Sequence, residues 1–332
     1  MTDWGTGIVA LEVKGISYAI EDAPTDVVRR NLRVIAEELH CTAVMLIGTE
    51  TESHIAAARH ALEAGLDVYI RPYLADRPRS AQLAHLAATA AAAEELRAGH
   101  PGRVTLLVGS EFSLTAPGMI PGPRVVVRLQ VLVRPRLRQL FDRRITRRLN
   151  DLLDDALSTA RRCFHGPVSY AAGGWEKVDW SGFDFIGVNL YRFGTDPATY
   201  EKRLRALLDG ADKPVVITEF GCGAHIGADQ RGPGSFRIVQ WFAEEPHVKD
   251  GHVRDEHTQA AYLGELIDLY TAHGVHGCFV FTFAMPDFPH HPDPRHDLDM
   301  AGFGVVKVPA ADIWTWEPKE AFHEVARRYT ST

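Results

Sequence analysis

The sequence predicts an α/β fold: one (β/α)8 TIM barrel over residues 1–332, with long loops after strands four and seven. Three observations carry this. Eight short runs rich in Val, Ile and Leu alternate with segments of helical spacing. The runs are apolar along their whole length, as parallel strands are when helices cover their outer face. No GxGxxG or Walker A pattern follows the first run, so the open, doubly wound alternative lacks its usual phosphate-binding signature.

Taken in order, residues 10–20 (ALEVKGISYAI) form a first strand. Residues 26–40 have helical spacing, with Val27, Leu32, Ile35 and Leu39 on one side. TAVMLIG is strand two, and residues 54–64 form a helix closing at Gly65. DVYIRPYL is strand three, followed by an Ala- and Leu-rich helix over 80–98. RVTLLVGSEFSL is strand four. An irregular stretch over 115–138 and a helix over about 140–162 follow; residues 115–150 together make a flap or insertion. GPVSYAAG and FDFIGVNLY are strands five and six, and 197–208 is a helix. PVVITEFG is strand seven, with a long loop over 222–254 and a helix over 255–272. VHGCFVFTFA is strand eight, and a helix over 318–329 closes the chain.

Composition narrows the function classes. The chain is 45% hydrophobic and 24% charged, with a formal charge of −7 and no long acidic block. That balance argues against a nucleic-acid partner. No apolar run reaches bilayer length, so no membrane partner is expected. Residues 1–15 lack a basic segment followed by an apolar core, so no secretory leader is expected. Cys41, Cys163, Cys222 and Cys278 are scattered without a CxxC pair, which points to a reducing, cytoplasmic setting.

In this fold chemistry sits at the C-terminal strand ends. Two of those ends carry an acid: Glu111 after strand four and Glu219 in strand seven. A charge at the end of a buried strand is costly unless paired or used. Two carboxylates flanking one bond can serve as the acid and the nucleophile of a retaining glycosidase. Tyr191 is placed to hydrogen-bond Glu219, completing the expected catalytic set. Arg71, Tyr18, Tyr73 and Asn189 are the substrate-binding candidates among the other polar groups at strand ends, which also include Ser17, Glu176 and Thr282, and Trp175 and Phe283 are aromatic candidates for a substrate floor. No cofactor and no metal are expected.

At these motifs the sequence resembles clan A glycoside hydrolases. ITEFG resembles their strand-seven nucleophile motif, VGSEF their strand-four acid/base motif, VKGISYA their first strand and FIGVNLY their sixth. The resemblance runs over residues 13–308. It implies a sugar-containing substrate and a two-carboxylate retaining mechanism, and the long flap after strand four, which would narrow an open polysaccharide groove, points to a small substrate. GPVSYAAGGWEKVDWSGFDFIGVNLYR, KPVVITEFGCG and FTFAMPDFPHHPDPRHDLDMAGFGVVKV are similar to actinobacterial proteins labelled abortive infection proteins. The chain departs from the clan pattern at three places. Ser110 stands where an Asn usually precedes the acid/base, Met45 where strand two usually carries Arg, and Phe283 where strand eight usually carries Trp. These departures leave open a non-hydrolytic acid/base enzyme (lyase, cyclase or isomerase) or a degenerate ligand-binding barrel.

Two further segments hold suggestive residue types. His290, His291 and His296 with Asp287 are metal-ligand types in the stretch 287–299, but none has HExxH spacing, so a solvated loop or lid is expected. The arginine-rich stretch 124–148 interleaves Arg with Val and Leu. It is expected to be an amphipathic flap over the mouth or against a second subunit; the alternatives are a basic patch for phosphate or nucleic acid, and an apolar face touching a membrane surface, with Pro135 interrupting any long helix.

Overall fold

The computed structural model describes residues 11–20 and 23–331. The expectation about a leader in the first residues, and the start of the first strand at residue 10, fall largely outside them. Eight parallel strands form a closed barrel. They are β1 (Val13–Ala19), β2 (Ala43–Gly48), β3 (Asp67–Pro72), β4 (Val104–Ser110), β5 (Val168–Gly173), β6 (Ile186–Asn189), β7 (Val215–Phe220) and β8 (Gly277–Val280). The ring order is β1-β8-β7-β6-β5-β4-β3-β2. All six residues of β2, β5 and β7 are buried, which explains their unbroken apolar runs.

The chain divides into two compact units, one of Ser17–Ala36 and Ala43–Leu190, the other of Met1–Ile16, Glu37–Thr42 and Tyr191–Thr332. In the first, β2 pairs β3 in unbroken register from Ala43↔Asp67 to Gly48↔Pro72. The ladder between β4 and β5 shifts between Leu107 and Ser110, and Glu111 lies just past that irregularity. Gly109 within it is required: a Cβ there would sit 2.4 Å from the Phe112 ring. The helices are α1 (Thr25–Glu37), α2 (Thr51–Glu63), α3 (Arg79–Gly99), α4 (Phe112–Thr115), α5 (Val125–Leu132), α6 (Pro135–Gln139) and α7 (Asp142–Arg161).

The stretch expected to be irregular thus holds two short helices, α5 and α6. Pro135 stands at the first turn of α6, where its missing N–H costs nothing. Arg128 anchors this flap and is fully buried. Its guanidinium donates to the carbonyls of Leu114 (2.6 Å), Gly122 (3.0 Å) and Thr115 (3.1 Å) and pairs with Asp76. Asp76 also accepts from Val125 N at 2.9 Å, tying the start of α5 to the same point.

In the second unit, β7 pairs β8 and β8 pairs β1. The helices are α8 (Pro197–Asp209), α9 (Glu256–Ala272) and α10 (Glu320–Ser331). Asp196 caps α8 by accepting from Ala198 N at 3.0 Å, with Pro197 at its first position. Asp255 caps α9 through His257 N. The loop over 222–254 is ordered by 3-10 turns and a two-residue ladder, Val239–Gln240 against His247–Val248. Ile238, Val239 and Val248 pack with Leu298, Met300 and Ala301 in a separate small core.

The stretch 287–299 is fixed by charge. Arg254 donates to Asp297 (2.8 Å) and Asp299 (2.9 Å), and the fully buried Lys319 donates to Asp299 at 2.9 Å. His290 Nδ1 lies 2.9 Å from Asp297. These acids are thereby spent on a buried ion network, a costly arrangement that holds only when every charge is paired. No cluster of three or more His, Cys, Asp or Glu suited to a metal occurs among the described residues.

Candidate active site

Glu219 is one residue from the end of β7 and only 8% exposed. Burying a carboxylate requires donors aimed at it. Tyr191, just past β6, supplies one: its hydroxyl donates to Glu219 Oε2 at 2.9 Å. Tyr191 is itself buried.

Glu111 lies immediately after β4 with φ at +44°. That left-handed geometry is unfavourable for a residue with a Cβ, at roughly 1–2 kcal/mol, and such outliers concentrate where function demands them. It persists because the surrounding backbone fixes it. Glu111 N donates to Ala171 O at 3.0 Å, and Leu114 N and Thr115 N both donate to Glu111 O at 2.8 Å. Its side chain has a donor too. Asn189 Nδ2, at the end of β6, gives a hydrogen bond to Glu111 Oε1 at 3.0 Å and lies 3.4 Å from Ser110 Oγ.

A network the sequence did not single out holds the turn after Glu111. Glu176 accepts from Ser113 N, Gly173 N and the Tyr170 hydroxyl, each at 2.9 Å. Tyr170 in turn accepts from Phe112 N at 2.5 Å. Burial pushes the Glu176 carboxyl upward, against the donors of Ser113, Gly173 and Tyr170. Burial likewise holds the Tyr170 hydroxyl well above its ordinary value, with the nearby Glu176 adding to it. The only sequence signal was an acid soon after the glycines ending strand five.

The remaining candidates are placed as follows. Arg71 is buried in β3, with Nη1 3.7 Å from Met45 Sδ on β2. Tyr73 is half-buried just beyond β3, its N–H donating to Gly48 O. Trp175 donates through Nε1 to Ser113 Oγ at 2.9 Å, which ties its indole to the turn after Glu111. Tyr18 points to the helix layer: its hydroxyl accepts from Asn31 of α1 at 2.9 Å. Phe283 is fully buried and packs edge-on against Trp316, which stacks on Phe322 of α10. Tyr18 and Phe283 are therefore not brought together with Glu111 or Glu219 by any of these contacts.

Other aromatics adjoin the Tyr191–Glu219 pair. The Tyr191 ring lies 6.2 Å from Phe303, which stacks on Phe236 at 4.6 Å. Phe236 meets Phe288 at 5.2 Å, and Phe288 meets Trp241 at 5.3 Å. Phe281, just past β8 and followed by a cis peptide, packs edge-on against Phe303. Phe236, Phe281 and Phe288 are half-buried and Trp241 is exposed. Rings that are partly open and mutually supported offer flat apolar area at small entropic cost.

All four cysteines are free; Cys41, Cys222 and Cys278 are buried, and burial pushes the Cys278 thiol up to about 12, which makes it a poor nucleophile.

No family model matches the chain, and no curated protein matches it. Solved structures do. A GH113 β-1,4-mannanase complex aligns over 96% of this chain and 99% of its own, at TM-score 0.62 and 14% identity. A β-glycosidase aligns over 98% of each chain at TM-score 0.58 and 14% identity. A Parabacteroides merdae β-glucuronidase aligns over 97% of this chain and 38% of its own, at TM-score 0.59 and 12% identity. At these identities the likeness establishes the fold alone: the chain is a (β/α)8 barrel.

Proposed function

We propose that the protein cleaves or transfers a small β-glycoside or glycoconjugate with retention. Glu111 acts as the acid/base and Glu219 as the nucleophile. The observation that carries this reading is that each carboxylate stands at the C-terminal end of its strand and accepts a hydrogen bond from an uncharged donor. Tyr191 holds Glu219 and Asn189 holds Glu111. A neutral donor orients a carboxylate without neutralising its charge.

In the first step Glu219 attacks the anomeric carbon and Glu111 protonates the departing oxygen. In the second, Glu111 takes a proton from water or an acceptor hydroxyl, which attacks the same carbon and releases Glu219. Asn189, Ser110 and Tyr73 are assigned to substrate hydroxyls, and Phe236, Phe281, Phe288 and Trp241 to the apolar sugar faces. Arg71 is assigned to the charge of the carboxylate site. The structural neighbours are a β-1,4-mannanase, a β-glucuronidase and a β-glycosidase, so aryl β-mannosides, β-glucosides and β-glucuronides form the first panel.

Glu219→Gln and Glu111→Gln are each expected to lower kcat on the responsive substrate by about 100-fold or more, with unchanged melting behaviour. Activity retained in Glu219→Gln would overturn the assignment. A second reading, elimination or isomerisation by the same pair, is favoured by Ser110 in place of the usual sugar-contacting Asn. Broad inactivity on the panel by a folded protein supports that reading instead. The kinship with proteins labelled abortive infection proteins and the reducing, cytoplasmic setting are part of the proposal and rest on the sequence.

A further inference from the structure

We propose that the flap over residues 124–148 is a docking surface for an anionic lipid membrane. The proposal is independent of the reaction assigned above. The stretch holds nine arginines and one acid, Asp142, a local excess of eight positive charges in a chain of formal charge −7. Some of those arginines serve the fold: Arg128 is the buried anchor, and Arg144 and Arg148 donate to Gly118 O. Arg136, Arg143 and Arg147 are exposed and make no ion pair among the described residues. Arg143 and Arg147 line an open groove with Thr146, Lys177 and Asp142. Three cations and a hydroxyl against one acid suit a phosphate-bearing headgroup.

The same stretch is the most apolar part of the exposed surface. Val126, Val127, Val133, Leu137 and Leu140 are 42–76% exposed, and they are five of the eleven large hydrophobics exposed among the described residues. Pro135 breaks the stretch into α5 and α6, too short to cross a bilayer, and no described helix is long and apolar enough to do so. Short helices with outward aliphatics and flanking arginines lie in the interface plane instead.

Charge and apolarity together select the occupant. A symmetric contact with a second copy would set one arginine-rich flap against another, which like-charge repulsion opposes. Nucleic acid would satisfy the arginines but not the exposed aliphatics. An anionic lipid surface takes both.

Co-sedimentation with vesicles tests this. The wild-type chain is expected to bind vesicles of about three parts phosphatidylcholine to one part phosphatidylglycerol, and not phosphatidylcholine alone. Leu137→Ser with Leu140→Ser, and separately Arg136→Gln with Arg143→Gln and Arg147→Gln, are each expected to weaken binding by about tenfold or more. All five sites are exposed, and circular dichroism confirms that the variants fold. The proposal is overturned if the wild type ignores the anionic vesicles or binds both compositions equally. It is equally overturned if both variants bind like the wild type, if duplex DNA is bound more tightly than vesicles, or if the leucine substitutions dissolve a dimer.

Discussion

The Tyr191 hydroxyl sits 2.9 Å from Glu219 Oε2, joining the residue just past β6 to the buried acid of β7. A hydrogen bond to a charged group contributes about 1.5–3 kcal/mol. If Glu219 reacts, Tyr191→Phe removes a bond that aims it while sparing substrate contacts. The expected result is a fall in kcat of roughly 10–100-fold with KM little changed. Steady-state kinetics on the responsive glycoside check it, and a change confined to KM contradicts the aiming role.

Glu176 holds the turn that follows Glu111. It accepts from Ser113 N, Gly173 N and Tyr170 Oη. A glutamine would turn an N–H toward at least one of these donors. Glu176→Gln is therefore expected to lose roughly 2 kcal/mol of stability and to lower kcat through the loosened turn. Denaturant unfolding and kinetics measure both. A variant as stable as the wild type would remove Glu176 from this role.

The φ of +44° at Glu111 makes a second stability claim. Glu111→Ala and Glu111→Gly both lose the carboxylate and its Asn189 bond, but only glycine relieves the left-handed backbone. The glycine variant should be more stable than the alanine variant by about 1 kcal/mol. Both should be inactive. The reverse order in denaturant unfolding would show that the backbone is relaxed there.

His54 sets a pH dependence. Its Nε2 donates to Leu46 O at 3.0 Å, while Nδ1 is buried without a hydrogen-bond partner. Burial, assisted by the adjacent His85, lowers its pKa from 6.5 to about 4. A depressed histidine favours the neutral folded form, so its contribution is intact above pH 6.5 and is lost as pH falls from there through 4. The slope approaches about 1.4 kcal/mol per pH unit. In thermal melts over this range, His54→Gln should show a flatter loss than the wild type. Parallel slopes would contradict the assignment.

The barrel was legible because strands buried on both faces leave long apolar runs, and because the two acids break those runs at their C-terminal ends. The same double burial hid side-chain direction. With no polar alternation along a strand, nothing distinguished the helix-facing Tyr18 from an inward residue, or the buried Phe283 from the more accessible Phe281. The flap looked irregular because Gly, Pro and Arg interrupt its helical period, yet one buried guanidinium gathers its carbonyls. The aromatic series from Phe303 to Trp241 was invisible for another reason. Its members are far apart in sequence and meet only through the loops.

If Glu219 is the nucleophile, it becomes covalently bound to sugar during turnover. Incubating the protein with activated 2-deoxy-2-fluoro glycosides of the responsive class, followed by intact-mass and peptide mass spectrometry, tests it most directly. The account predicts one added fluoroglycosyl group, carried by the peptide containing Glu219 and absent from Glu219→Gln. A wild-type protein that turns over the parent glycoside yet carries no label, or carries it on another residue, would contradict it.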